Sequence, residues 1–398
     1  MKFFLKSFVV SSITILLFFI FSCNGDSIES GNNNFVKEND VVSTLSSLEF
    51  NVKDSSIQAR DGLVPSNFEI IENINSIPDE DGNIVYYIIN YVDNGFVIVS
   101  ADNRVKPILA FSEFDKFSFT ESEYSGGLVQ WIIDTKDFIK SIRSTNGEQT
   151  TEVANAWRPC ALARTLKPTK SPPCPHDVEC VNEHTEVGPL LQTSWHQRCG
   201  FNNLLPTINC QSACNRPVAG CVPIAIAQVM KYHNYPTQYN WNDMSNTSGT
   251  NSTALLIKDI HTALGGAISP GCNSTGVDTD FNSANLFKNN FNYSTAIKAV
   301  YNWDIVKSEI ASNRPVILSG GTKAKKWLFF NVYEDGHMWV ADGYRFSHYC
   351  DTGQDYLYFH MNWGWGVNAG NGWFAYNNFN PDNSSFNYLT KMIYNIKP

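Results

Sequence analysis

The chain has 398 residues, a formal net charge of −9, 43% hydrophobic and 13% aromatic side chains. That length suffices for two domains and a targeting segment, and the absence of a basic stripe argues against a nucleic-acid partner. The charge is uneven: residues 24–150 carry 21 acidic and 9 basic side chains, residues 151–398 carry 17 and 18, a split that suggests two separately evolved units.

Residues 1–22 have a basic start, Lys2 and Lys6, then an apolar run from Phe8 to Phe21. This is a secretion signal, too short for a comfortable membrane span. It ends Ile20-Phe21-Ser22-Cys23, which resembles a bacterial lipoprotein signal. That resemblance implies a lipid on Cys23, a membrane partner, and a place in the cell envelope or, after processing, outside the cell. Residues 23–40 are polar and asparagine-rich, a tether.

Residues 41–145 are expected to form a small α+β unit. Val85 to Val92 and Phe96 to Ser100 read as two strands of a hairpin around Asp93-Asn94-Gly95. Arg104 to Phe111 is expected to continue the sheet, and Leu128 to Ile142 has helical spacing. Residues 146–187 read as a linker rich in Pro, Cys and Thr, a place where proteolytic nicking concentrates.

A second unit, 188–398, opens near Gly188. Its centre is Gly220-Cys221-Val222-Pro223 followed by a nearly all-apolar helix to His233. Pro223 falls in the first turn, and Asn234-Tyr235-Pro236 ends the helix. Apolar residues on almost every side predict burial. Cys221 stands at the helix N-terminus, where unpaired N–H groups and the macrodipole favour a thiolate nucleophile. Helices are expected at Leu255–Leu264 and Ala284–Phe291, then strands at Pro315–Ser319, His337–Asp342, Tyr356–Trp363 and Gly372–Tyr376. A helical half followed by a strand half indicates α+β.

The chain has ten cysteines. With Cys23 and Cys221 set apart, Cys160, Cys174, Cys180, Cys199, Cys210, Cys214, Cys272 and Cys350 fit up to four disulfides in an oxidising compartment. The rival is a metal site on Cys174, Cys180, Cys210 and Cys214, whose spacing does not match paired two-residue ribbons.

A thiolate needs a base, an orienter for the base and oxyanion donors. His337 follows Asp335-Gly336 at the start of a strand and is the candidate base. His360 alternates with apolar neighbours and reads as structural; His233, at the helix end, reads as a cap. Asn362, in Asn362-Trp363-Gly364-Trp365-Gly366, is placed to hold the imidazole through its side-chain carbonyl, with Trp363 as a shield. Gln197 can donate its amide to an oxyanion. The order Gln, Cys, His, Asn is that of a papain-like cysteine protease.

Residues 188–398 resemble the streptopain family of bacterial cysteine peptidases. The blocks that carry this are Trp195-His196-Gln197, the Cys221 helix through Pro236, Gly336-His337 with Val340-Ala341-Asp342-Gly343, and Asn362 to Gly366 with Asn371-Gly372. The first unit resembles that family's propeptide, most clearly in Gly95 to Asp102. The resemblance implies a papain-like fold behind an inhibitory propeptide, no metal or organic cofactor, and cleavage of proteins or peptides with a hydrophobic residue two positions before the scissile bond. It implies Cys221 as nucleophile, His337 as base and acid, Gln197 as oxyanion donor, and Asn362 with Trp363 as orienter and shield. Asp335, Pro223 and Val367 depart from the family pattern. Two other readings share the chain: an amidase or transpeptidase on cell-wall peptides, and a catalytically dead envelope binding lipoprotein. The acidic propeptide is expected to dock partly through its apolar strands and to inhibit less after a cut in residues 146–187.

Overall fold

The computed structural model describes residues 34–47, 70–92, 94–117, 126–145, 147–158, 183–210, 213–278, 281–323, 333–349, 354–375 and 391–398. The leader, Cys23, Cys160, Cys174, Cys180 and Cys350 lie outside them. All described residues fall within one compact unit, Asn34–Pro398.

The N-terminal segment runs α1 (Glu38–Ser47), β1 (Ile71–Pro78), β2 (Ile84–Tyr91), β3 (Phe96–Ser100), β4 (Ile108–Ser112) and α2 (Gly126–Arg143). β2 and β3 form the expected antiparallel hairpin, pairing Asn90 with Phe96. Its turn places Asn94 at φ 102° and Gly95 at φ 94°, a backbone that suits these two residue types. The strand expected from Arg104 begins only at Ile108. Arg104 instead folds back on Asp102, with Nη2 at 2.8 Å from Oδ2, and that local pair holds residues 102–107 in a turn.

The described residues at either end of the 146–187 stretch carry regular structure. Thr150 caps α3 (Thr151–Ala156), accepting from the Val153 N–H. Residues Glu183–Val187 form β5. The C-terminal half continues with α4 (Cys221–His233), α5 (Asn251–Leu264), β6 (Ile268–Ser269), β7 (Gly276–Val277), α6 (Ala284–Phe291), β8 (Thr295–Val300), α7 (Trp303–Ala311), β9 (Val316–Lys323), β10 (Tyr333–Tyr349), β11 (Gln354–Asn362), β12 (Gly372–Ala375) and β13 (Lys391–Lys397).

An eleven-stranded sheet carries the whole arrangement, in the order β1-β2-β3-β4-β12-β11-β10-β9-β13-β8, with β5 also on β10. The two halves of the chain therefore share one sheet, joined where Phe111 and Ala110 pair with Trp373 and Phe374. Docking through apolar strands is seen at Phe96 of β3, whose ring centroid lies 6.3 Å from that of Phe374, and α2 adds Trp131, edge-on to Phe374 at 5.0 Å.

The central strands send alternate side chains to opposite faces, as the period of two requires. Trp339 and Ala341 of β10, Val316 and Leu318 of β9, and Met392 of β13 join the cluster beneath α2 and α7. Met338, Val340, Ile317 and Ile393 join the cluster around α4, α5 and α6. α4 is buried from Val222 through Met230, as its all-round apolar sequence demands. It ends where Asn234 turns left-handed at φ 49° and its N–H bonds back to Lys231 and Met230. His233 does not cap it; its Nδ1 lies 3.2 Å from the Tyr293 hydroxyl, because the Asn234 backbone already meets those carbonyls.

Two disulfides, Cys199–Cys214 and Cys210–Cys272, brace the loops on the α4 side. Cys210 and Cys214 are thus removed from the four-cysteine metal reading. Among the described residues no group of three or more His, Cys, Asp or Glu is placed to hold a metal, and no helix is long and apolar enough to cross a membrane.

Candidate active site

The site begins at Gly220. Its φ is 90°, and a Cβ there would lie 3.1 Å from Thr275 Cγ2, so only glycine lets the loop turn into the helix this tightly. Thr275 holds the neighbouring backbone, donating its hydroxyl to the Val218 carbonyl at 2.6 Å. The Cys210–Cys272 bridge staples this cavity-lining loop in place. Cys221 then opens α4 beside β10. The backbone N–H groups of Met338, Val222 and Cys221 itself point at the Cys221 sulfur.

The N–H groups of the helix start favour a thiolate, as expected, but burial works against them and pushes the Cys221 thiol above its ordinary pKa, with the three N–H groups only partly opposing it. His337 is 6% exposed. Burial pushes its pKa down to about 4, against a smaller upward contribution from its hydrogen bond to Trp363. At neutral pH both groups are uncharged.

Cys221 and His337 line one cavity of about 240 Å³, together with Val222, Thr275, Val277, Gly320 and Met338. Lys298 and Lys391 also reach its wall. The Nε2 of His337 lies 3.0 Å from the backbone carbonyl oxygen of Trp363. A carbonyl only accepts, so Nε2 carries the proton of the neutral ring and Nδ1 is left as an acceptor.

This is a departure from expectation. The Asn362 side-chain carbonyl accepts from Gln228 Nε2 and from the Gly364 N–H, both at 3.2 Å. The Asn362 amide donates to the Thr193 carbonyl at 2.6 Å. Asn362 thus ties α4, the 190s loop and the Gly364 turn together, and the imidazole bond falls to the next residue's backbone. Trp363 also differs from its expected role. Its indole is fully buried, donates to the Gly370 carbonyl at 3.0 Å and packs on Phe374. The rings near His337 are Trp339, stacked at 6.2 Å, and Trp365 at 6.3 Å.

Gln197 is brought near by its backbone, whose carbonyl accepts from the Ala219 N–H at 2.7 Å, two residues before Cys221. His360 is structural, with Nδ1 2.7 Å from buried Asp342.

Three further residues belong to the site. Gln228, wholly buried, accepts from the Trp195 N–H and donates to Asn362. Its signal was visible, as the one polar residue between Val222 and Met230. Asn371 accepts from the Trp363 N–H at 2.9 Å. Asp115, of the N-terminal segment, accepts from the Asn371 N–H at 2.8 Å. Beside it, Phe117 forms a bridge with Ala369, and Glu113 pairs with Arg345.

Residues 195–240 and 237–374 match the peptidase C10 family, and residues 33–139 match the Spi protease inhibitor family. Streptopain of Streptococcus pyogenes serotype M1 is 24% identical over 370 residues, covering 78% of this chain and 80% of that protein. The thiol protease/hemagglutinin PrtT of Porphyromonas gingivalis is 22% identical over 334 residues, covering 72% of this chain and 33% of that protein. A prointerpain A fragment from Prevotella intermedia shares the fold, with a TM-score of 0.53, 23% identity, and coverage of 81% of this chain and 97% of that one. Residues 195–374 thus form a peptidase C10 domain and residues 33–139 a Spi-type inhibitor domain: the chain is a cysteine peptidase zymogen of the streptopain type, with its propeptide ahead of a papain-like peptidase domain.

Proposed function

We propose that this zymogen is a secreted, lipid-anchored endopeptidase in which Cys221 is the nucleophile and His337 the general base and acid. The observation that carries the reading is the shared cavity of Cys221 and His337, with His337 Nε2 tied to Trp363 so that Nδ1 is free to accept. In the first step Nδ1 takes the thiol proton while sulfur adds to the scissile carbonyl carbon. The Cys221 N–H and the Gln197 amide are the proposed donors to the oxyanion. Collapse of the tetrahedral intermediate breaks the C–N bond, and the imidazolium returns its proton to the departing amine. Water, deprotonated by the same nitrogen, then attacks the thioester and regenerates the thiol.

The secretory part of the proposal rests on the leader and Cys23. The domain limits rest on the same reading: tether at 23–40, propeptide at 41–145, a processed linker at 146–187, and the peptidase at 188–398. The test is labelling of processed protein with a thiol-directed epoxide inhibitor, alongside turnover of casein. Wild type is expected to label and cleave. Equal labelling of Cys221→Ser would remove the nucleophile assignment. Radiolabelled fatty acid incorporated by wild type and lost in Cys23→Ala checks the anchor.

A further inference from the structure

His337 is held by a backbone atom, so what holds that backbone matters to the chemistry. The Trp363 carbonyl belongs to a turn that continues through Gly364, at φ 73°, to Gly366, at φ 98°. Asn371 spans this turn. Its Oδ1 accepts from the Trp363 N–H at 2.9 Å, and its Nδ2 donates to the Gly366 carbonyl at 3.4 Å. Asn371 is 8% exposed, so water is poorly placed to replace either bond if the side chain is removed.

The main chain of the same residue is held from the other direction. Asp115, also 8% exposed, accepts the Asn371 N–H through Oδ2 at 2.8 Å. It takes a further backbone hydrogen bond from Asn368. Asp115 belongs to the inhibitor segment and Asn371 to the peptidase. A continuous path of hydrogen bonds therefore runs from the propeptide carboxylate to the Asn371 backbone, and from the Asn371 side chain through residue 363 to the imidazole.

We propose that Asn371 is a positioning residue for His337, and that the docked propeptide grips the catalytic turn through it by way of Asp115. The inference rests on the reading of His337 as general base and acid. Asn371 acts through the Trp363 peptide and touches no reacting atom. Its contribution is to fix where the Trp363 carbonyl sits, and so the orientation and proton affinity of the ring. The propeptide then has a way to influence the imidazole without filling the cavity that Cys221 and His337 share.

The test uses enzyme processed from the full chain. Asn371→Leu is expected to lower kcat about tenfold or more, with KM within about twofold, and to move the acid limb of the kcat–pH profile. Asn371→Asp gives up the longer Nδ2 bond to the Gly366 carbonyl but keeps an oxygen facing the Trp363 N–H, and is expected to recover kcat to within about threefold of wild type. A kcat for Asn371→Leu within about twofold of wild type, or equal impairment of the two variants, overturns the inference. If Asn371→Leu does not fold, the full chain with Cys221→Ala decides by NMR. Adding Asp115→Ala should move the resonances of His337 Nε2 and its proton, and unmoved resonances overturn the inference. Activity surviving His337→Ala would sink the base assignment and this inference together. An inactive His337→Ala beside a flat Asn371 series sinks this inference alone.

Discussion

In the intact zymogen, two uncharged side chains occupy the place of a thiolate–imidazolium pair. Cys221 is raised and His337 is held at about 4 by burial, so the full chain at pH 7 holds a thiol and a neutral ring. Alkylation of Cys221 by iodoacetamide in the uncut protein should therefore be slow at pH 7 and rise without a plateau beyond the usual thiol range. A rate already level from pH 5 upward would mean that an ion pair exists before processing. Asn362 gives a second prediction. Asn362→Ala strips partners from the Thr193 carbonyl, the Gln228 amide and the Gly364 N–H. Its cost should appear as about 3 kcal/mol of lost stability in denaturant unfolding. A wild-type unfolding midpoint with lost turnover would instead restore a direct role at the imidazole. The cysteine and histidine were legible because each is a side chain with its own chemistry in a telling place. The partner of His337 was not, because a backbone carbonyl carries no residue signature. Asn362 drew the assignment as the nearest side chain able to do the same work.

Elements were read best where hydrophobic spacing alone decides them. β3 and α6 have the limits that their apolar residues set, and α4 ends at the asparagine that turns left-handed. β10 was expected to span only His337–Asp342 yet runs from Tyr333 to Tyr349. Its second half carries Arg345. In the fold Arg345 is buried and meets Glu113 and Glu186, the second across the β5–β10 ladder. A distant pairing of that kind leaves no local pattern. The junction of β4 with β12 was equally hidden, and it supplies a prediction. A Cβ on Gly372 would lie 2.6 Å from the Phe111 carbonyl oxygen and 2.9 Å from Ser112 Cβ, both in the propeptide. Gly372→Ala should therefore push β4 off the edge of β12. The expected result is faster processing of the full-chain zymogen, followed by gel electrophoresis over time, with a processed enzyme of near-normal kcat. Unchanged processing would show that the ladder accommodates the methyl group.

Across the whole molecule, one sheet carries the inhibitor at one end and the catalytic strands in its middle, with α4 on one face and α2 on the other. The charge split predicted two units but not that they share a sheet, since two short β4–β12 pairs add nothing visible to either sequence. This shared architecture makes propeptide docking sensitive to pH at Asp115. Burial raises its carboxyl to about 6, against the backbone N–H groups of Asn371, Asn368 and Lys116 and the field of His360. The other charges near it are already matched: Glu113 with Arg345, and Lys116 with Glu72. A carboxyl raised in the folded state binds its proton more tightly there than in the unfolded chain. It therefore favours the folded, docked form most at low pH, and that advantage is lost as pH rises from the unfolded value through about 6. His337 and His233, both lowered to about 4 by burial, run the other way: their contribution is complete above the unfolded histidine value and is lost as pH falls toward 4. A single melting curve mixes the two, so the informative quantity is a difference. Unfolding of the full chain with Cys221→Ala should be compared with and without Asp115→Asn. Relative to its parent, the Asn variant should gain about 1–2 kcal/mol between pH 5 and pH 7.5, because it has no ionisation to bury. A difference that stays constant over that range would mean that Asp115 is already ionised in the docked state, and that the propeptide is held at this point by a carboxylate whose three backbone donors outweigh its burial.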